Sequence, residues 1–200
     1  MQKLIIASRN RGKIMEIRAL LSDLPLAIRS LHDFTGMPGV EEDGATLEEN
    51  ALKKAREIFR AANVPCLADD TGLEVFSLDL RPGVFSARYA GEEATYEDNN
   101  RKLLGELLGT AGSLRDARFR CVAAFVDGRT EKLAEGICNG RIGEEIRGMG
   151  GFGYDPLFIP EGYSETFAEL SLEVKNAISH RAKAFREMKT FLARYSGTGS

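Results

Sequence analysis

Apolar residues recur along this chain with two periods. Positions 3–8, Lys-Leu-Ile-Ile-Ala-Ser, form a near-continuous apolar run that predicts a buried strand. After a turn containing Gly12, Ile14, Ile17, Leu20 and Leu21 fall on one face of a helix. Thr46 and Glu49 form a T-x-x-E capping pattern that opens a second helix to about Ala62. Leu47, Ala51, Leu52, Ala55, Ile58 and Phe59 keep helical spacing within it. A short strand from Pro65 to Ala68 is expected to end at Asp69-Asp70-Thr71-Gly72, and a strand to resume over Leu73 to Leu78. A helix is predicted from about Thr95 to Leu108. Residues 118–126 and 131–138 read as two strands joined at Asp127-Gly128-Arg129, a hairpin signal. A strand is expected over Leu157 to Ile159. From Ser171 to about Tyr195 the chain is mostly helical, with Ser179 capping a last segment that carries Ala182, Phe185, Met188, Phe191 and Leu192 on one side. Interleaved helices and strands with at least one hairpin predict an α/β fold with a mixed sheet.

The chain has 200 residues, enough for one large domain or one domain with two lobes. The expected domain covers residues 1–196, followed by a frayed tail at 197–200. With a net charge of −3, nothing global recruits nucleic acid or an anionic membrane, so a bound polyanion must be held by a local site. The apolar run at the N-terminus is too short for a signal peptide. No stretch approaches the roughly 20 apolar residues that span a bilayer. Cys66, Cys121 and Cys138 are odd in number and lack metal-ligand spacing, as expected of buried reduced thiols in a cytoplasmic protein.

Five segments carry candidate chemistry. Ser8-Arg9-Asn10-Arg11-Gly12-Lys13 lies between the first strand and the first helix, where open backbone N–H groups and the helix dipole suit a phosphate. The spacing is not that of a Walker A loop. The alternative is a plain helix start with solvated basic residues. Asp69-Asp70 places two acids at an expected strand end, and adjacent strand residues point to opposite faces. Asp70, beside the Thr71-Gly72 turn, is therefore the candidate for a cleft, against a simple turn role for the pair. Glu41, Glu42 and Asp43, then Glu48 and Glu49, offer the hard oxygens that Mg²⁺ takes, although Glu49 is already explained by the helix cap. In Gly150-Gly151-Phe152-Gly153-Tyr154-Asp155-Pro156, glycines allow close backbone approach, Phe152 or Tyr154 can stack on a base, and Asp155 can accept from ring N–H groups. A tight turn with buried aromatics is the alternative. Lys175 and the adjacent His180-Arg181 are cations near a helix start, where an anion or a carbonyl-rich ligand would offset the unfavourable dipole.

In this order the segments resemble the inosine/xanthosine triphosphate pyrophosphatase family over nearly the whole chain. The matching pieces are Ser8-x-Asn10-x-x-Lys13, Glu49-Asn50-Ala51 with Lys54-Ala55, Ala68-Asp69-Asp70-Thr71-Gly72-Leu73, Pro82-Gly83-x-x-Ser86-Ala87-Arg88-Tyr89, the segment from Gly150 to Pro156, and Lys175-x-Ala177-x-Ser179-His180-Arg181. The resemblance implies an elongated α/β fold, its mixed sheet flanked by helices, with two lobes around a central cleft. It also implies a homodimer. Ser8 to Lys13 and Lys54 would hold the triphosphate of a purine nucleotide, with Thr71 beside them. Asp70 would be the catalytic base and bind Mg²⁺ with Glu42, and Asp69 would lie next to that cluster. Phe152, Gly153, Tyr154, Asp155, Lys175, His180 and Arg181 would bind the base. The implied activity is Mg²⁺-dependent release of monophosphate and pyrophosphate from inosine, deoxyinosine and xanthosine triphosphates. Arg181, a donor-only side chain, is expected to face the 6-carbonyl that adenine lacks. His180 or a nearby backbone N–H is expected to supply a second donor near position 2. A pyrophosphatase for modified pyrimidine or methylated nucleotides on a similar fold, a non-catalytic nucleotide sensor and an RNA-binding module are the competing readings.

Overall fold

Seven strands and five α-helices make up the described part of this computed structural model, which covers residues 2–197. The expected tail, apart from Gly197, lies outside the described residues. Strand β1 (Gln2–Ile6) leads into helix α1 (Arg11–Leu20), whose first turn is capped by Asn10, the side chain accepting from the Lys13 N–H. Strand β2 (Leu26–Ser30), which the hydrophobic pattern did not reveal, runs parallel to β1 in register from Gln2 with Leu26 to Ile6 with Ser30. Helix α2 (Leu47–Ala62) starts at Thr46, whose hydroxyl accepts from the Glu49 N–H. The Glu49 carboxylate reaches back one residue further than a capping box requires, to the Ala45 N–H.

Strand β3 (Cys66–Val75) differs from expectation in a way that matters for function. It runs without a break through Asp69-Asp70-Thr71-Gly72, where a turn was predicted. Gly72 is there for a close approach, since a Cβ on it would lie 2.7 Å from the Gly83 carbonyl oxygen. Gly83 belongs to the two-residue strand β4 (Pro82–Gly83), antiparallel to β3. Helix α3 (Tyr96–Glu106) is closed by a capping box between Thr95 and Asp98. Strands β5 (Asp116–Val126) and β6 (Glu131–Ile142) form the expected hairpin and extend beyond the expected bounds. The short strand β7 (Phe158–Pro160) is antiparallel to β6. Helix α4 (Leu172–Ile178) is capped by Ser171. Ser179 then takes an extended conformation that separates it from helix α5 (His180–Gly197).

The sheet has the order β2-β1-β3-β5-β6-β7, with β4 on β3, and is mixed as expected. The chain divides into two compact units. The first comprises residues 1–70, 121–136 and 181–200; the second comprises 71–120 and 137–180. The chain passes from the first to the second at Asp70–Thr71 and Gly136–Ile137 and returns at Arg120–Cys121 and His180–Arg181. The core of the first unit gathers Leu4, Ile6, Ile17, Leu21, Phe125, Phe185 and Met188. That of the second gathers Leu73, Leu103, Phe119, Phe158 and Phe167. All three cysteines are buried thiols. Among the described residues, no helix is long and apolar enough to cross a membrane.

Phe185 is fully buried on the inner face of α5. Phe185→Ala is expected to cost about 3–5 kcal/mol through lost burial and the residual cavity. Urea unfolding should show this as a lower midpoint with an unchanged slope.

Candidate active site

In the first unit, the α1 N-terminus, α2, β3 and the start of α5 converge on a buried set of charges. Ser8 and Asn10 shape the turn before α1: the Ser8 hydroxyl accepts from the Asn10 N–H at 3.1 Å. Arg9 and Arg11 are exposed, and the Arg9 guanidinium donates to the Met37 carbonyl. Gly12 and Lys13 follow in the first helical turn. The Lys13 Nζ lies 3.2 Å from Asp69 Oδ2, so the helix start expected to take phosphate is joined to the acidic pair.

Asp69 and Asp70 are adjacent on β3, and their partners differ. Asp69 Oδ2 accepts from Nε and Nη2 of Arg181 at 3.2 and 3.0 Å. The Arg181 Nη1 donates to Glu16 at 2.6 Å. Asp70 accepts from the Asn50 amide at 3.1 Å and from Lys54 Nζ at 3.2 Å. The same ammonium donates to Glu42 at 2.8 Å and to the Asp69 carbonyl at 2.6 Å. Thus Glu42 and Asp70 converge on one cation.

Burial favours the neutral form of each of these acids, but the local charges decide the outcome. For Asp69 the burial cost is outweighed by Lys13, Arg181 and Lys54, and its carboxyl is held well below the usual range. Glu42 is likewise lowered, with Lys54 and Lys13 overcoming its burial. In Asp70, burial outweighs the two lysines and raises the carboxyl above its ordinary value. Burial opposes the charge on Lys54, yet Asp70 and Glu42 hold its ammonium above the normal lysine range.

Glu42 and Asp70 supply hard oxygen donors already directed at a positive charge. Among the described residues, no three acidic, histidine or cysteine side chains group as a metal cage. That donor set fits Mg²⁺, which typically takes one or two carboxylates and completes its shell with water and substrate phosphates. Glu16, Glu42, Asp69 and Asp70 meet Lys13, Lys54 and Arg181 there in a chain of ion pairs.

The second unit holds the other sequence candidates. Asp155 accepts from the Phe152 N–H at 2.8 Å and forms a buried ion pair with Lys175. The Lys175 ammonium lies over the Phe152 ring, 4.9 Å from its centroid, and 5.7 Å from that of Phe167. The loop glycines serve this pair. A Cβ on Gly151, which has a left-handed φ of 71°, would sit 2.1 Å from Asp155 Oδ2. The His180 ring stacks on Phe119 at 4.5 Å and 18°. Thr71 is half-buried on β3.

Two placements differ from expectation. Tyr154 turns inward, donating its hydroxyl to the Ser86 carbonyl, so Phe152 is the ring left for stacking. Arg181, expected to face a base carbonyl, is 1% exposed and spends its guanidinium on Asp69 and Glu16. The sequence reading missed Glu16, and it named Asn50 in a motif without giving it a role. Both interrupt a buried helix stripe with a polar group, Glu16 beside Ile17 and Asn50 between Leu47 and Ala51. That interruption is the signal that could have found them.

A model of the Ham1 family matches residues 4–191. A Geobacter sulfurreducens protein named dITP/XTP pyrophosphatase is 50% identical over 193 residues, 96% of this chain and 97% of its own. A Desulforamulus reducens protein of the same name is 47% identical over 194 residues, 96% of each chain. Among solved structures, a HAM1 protein from Coxiella burnetii matches with a TM-score of 0.88 at 40% identity, covering 97% of this chain and all of that one. The Staphylococcus aureus Ham1 protein matches at 0.84 and 39%, covering 96% of this chain and 98% of that one.

Because the Asp69 carboxyl is lowered in the folded state, its stabilisation is complete above the unfolded pKa of about 4 and is lost as pH falls below it. The stability gap between wild type and Asp69→Asn should therefore be constant from pH 7 to pH 5. It should narrow steadily toward pH 2, as measured by urea midpoints across that range.

Proposed function

The chain belongs to the Ham1 family, and on that ground we propose that it hydrolyses non-standard purine nucleoside triphosphates, inosine, deoxyinosine and xanthosine triphosphates among them, to the monophosphate and pyrophosphate. Such an activity removes these nucleotides from the pool. The observation that carries the reading is the junction of a phosphate-suited helix start with a buried acidic pair, through Lys13 and Asp69. The names of the curated relatives, matched over nearly the full length of both chains, add the substrate class.

Cleaving a phosphoanhydride needs charge neutralisation, positioning and an activated water. Lys13, Lys54 and the N–H groups at the start of α1 bind the triphosphate chain. Ser8 and Asn10 keep that turn in shape. Asp70 accepts a proton from the attacking water, and Asn50 fixes its carboxylate. Mg²⁺ held by Glu42 and Asp70 would supply charge neutralisation at the phosphates when bound. Asp69 positions Lys13 and Arg181 and is not assigned as a ligand.

Phe152 offers a face to the purine, with Lys175 and Asp155 fixing the ring from behind. His180 stacks on Phe119 within the same unit. Arg181 is assigned to the charge cluster, where its donors meet Asp69 and Glu16. We further place the protein in the cytoplasm as a homodimer.

The test is pyrophosphate release from inosine, xanthosine, guanosine and adenosine triphosphates, with and without Mg²⁺. Wild type should prefer the first two and lose activity with a chelator. Asp70→Asn should lose at least about a hundredfold in turnover while still binding nucleotide. Lys13→Ala and Lys54→Ala should weaken all four substrates by the same factor, since phosphates carry no base identity. Near-normal turnover in Asp70→Asn, or a changed base preference in a lysine variant, would overturn these assignments.

A further inference from the structure

We infer that helix α3 is the positioning element of the base-reading loop, with Asn100 as its anchor and Tyr96 as a second contact. Asn100 is 4% exposed. Its amide Nδ2 donates to the Gly153 carbonyl at 3.0 Å, across 53 residues of sequence. One helical turn earlier on the same face, the Tyr96 ring lies 6.4 Å from the ring of Phe152. Two successive loop residues are therefore held by two α3 residues at i and i+4. The inference rests on the reading of Phe152 as the residue that takes the base.

The neighbouring asparagine shows what a fully structural role looks like. Asn99 uses both ends of its amide on one segment, accepting from the Ala90 N–H and donating to the Ala87 carbonyl. Asn100 differs, because its Oδ1 is buried without a hydrogen-bond partner. Its orientation is thus set by one bond, the one to Gly153. A buried acceptor left unmet costs about 1–3 kcal/mol, and its retention points to a value in the bond that Nδ2 makes.

That bond bears on the geometry around Phe152. The loop is fixed from below by the Asp155 carboxylate, which accepts the Phe152 N–H and pairs with Lys175. It is fixed from the side by the Tyr154 hydroxyl on the Ser86 carbonyl. Asn100 closes the remaining turn, at the carbonyl between those two anchors. Aspartate at position 100 has the same shape but only acceptors when ionised, so it would face the Gly153 carbonyl oxygen with like charge.

The test compares wild type with Asn100→Asp and Asn100→Ser, the latter keeping a hydroxyl donor. Asn100→Asp should raise KM for inosine triphosphate about tenfold, the factor equivalent to one lost hydrogen bond, with kcat within about threefold. Inhibition by inorganic tripolyphosphate, which has no base, should stay unchanged, and Asn100→Ser should fall between the two. Amide hydrogen exchange over residues 151–155 should quicken in Asn100→Asp. Equal weakening of tripolyphosphate and nucleotide, or unchanged KM with unchanged exchange, overturns the inference. A wild type that fails to hydrolyse inosine triphosphate overturns the proposed function instead, and the exchange comparison alone then decides the role of α3. If Asn100→Asp does not fold, Asn100→Ser against wild type carries the same readouts with a smaller shift.

Discussion

A carboxylate taken out of water must be matched by a cation or by hydrogen bonds, and the first unit is organised around that requirement. Asp69 and Asp70 lie in the middle of β3, each almost wholly buried. Three helices contribute to their neutralisation: α1 through Lys13, α2 through Asn50 and Lys54, and α5 through Arg181 in its first turn. Arg181 in turn needs Glu16 of α1, because one carboxylate does not satisfy its donors. Removing any member leaves an uncompensated charge beside the others, so the cluster fixes the placement of α1, α2 and α5 on β3 as well as the chemistry.

The two acids divide their roles because a strand turns successive side chains to opposite faces. Asp69 meets the larger positive charge and is held ionised, which makes it a good counter-ion and a poor proton acceptor. Asp70 hydrogen-bonds to Lys54 and to the Asn50 amide, and burial outweighs Lys54 and Lys13 to raise its proton affinity. Environment alone separates the two, as in other sites where paired carboxylates serve as a structural anion and a base.

The second unit answers a different problem. A purine offers a flat ring and a pattern of donors and acceptors, and in the function we propose the unit meets it with the Phe152 ring, backed by the Lys175–Asp155 pair. Both charges there are buried and matched to each other, so the loop is set before any ligand arrives. The glycine at 151 makes that packing possible by leaving room for the Asp155 carboxylate. Preorganisation of this kind lowers the ordering cost of binding.

Helix positions were legible in the sequence because caps and apolar stripes are local features. Thr46, Thr95 and Ser171 each accept from an N–H three residues on, and α2 and α3 end within two residues of expectation. The motifs that carry the resemblance include Lys13, Asn50, Lys54, Asp69, Asp70 and Arg181 of the buried charge cluster. Three things were decided only by the tertiary structure. Strand β2 has a weak pattern of its own and exists through its pairing with β1. The Asp69 to Gly72 segment carries turn-type residues, yet it lies inside a strand whose neighbours in the sheet are β1, β5 and β4, partners no local pattern names. The guanidinium of Arg181 turned to Asp69 and Glu16, 112 and 165 residues away in sequence. Charge type is written in the sequence. Which opposite charge lies within reach, and so whether a cation serves a ligand or the fold, depends on distances that only the folded chain sets.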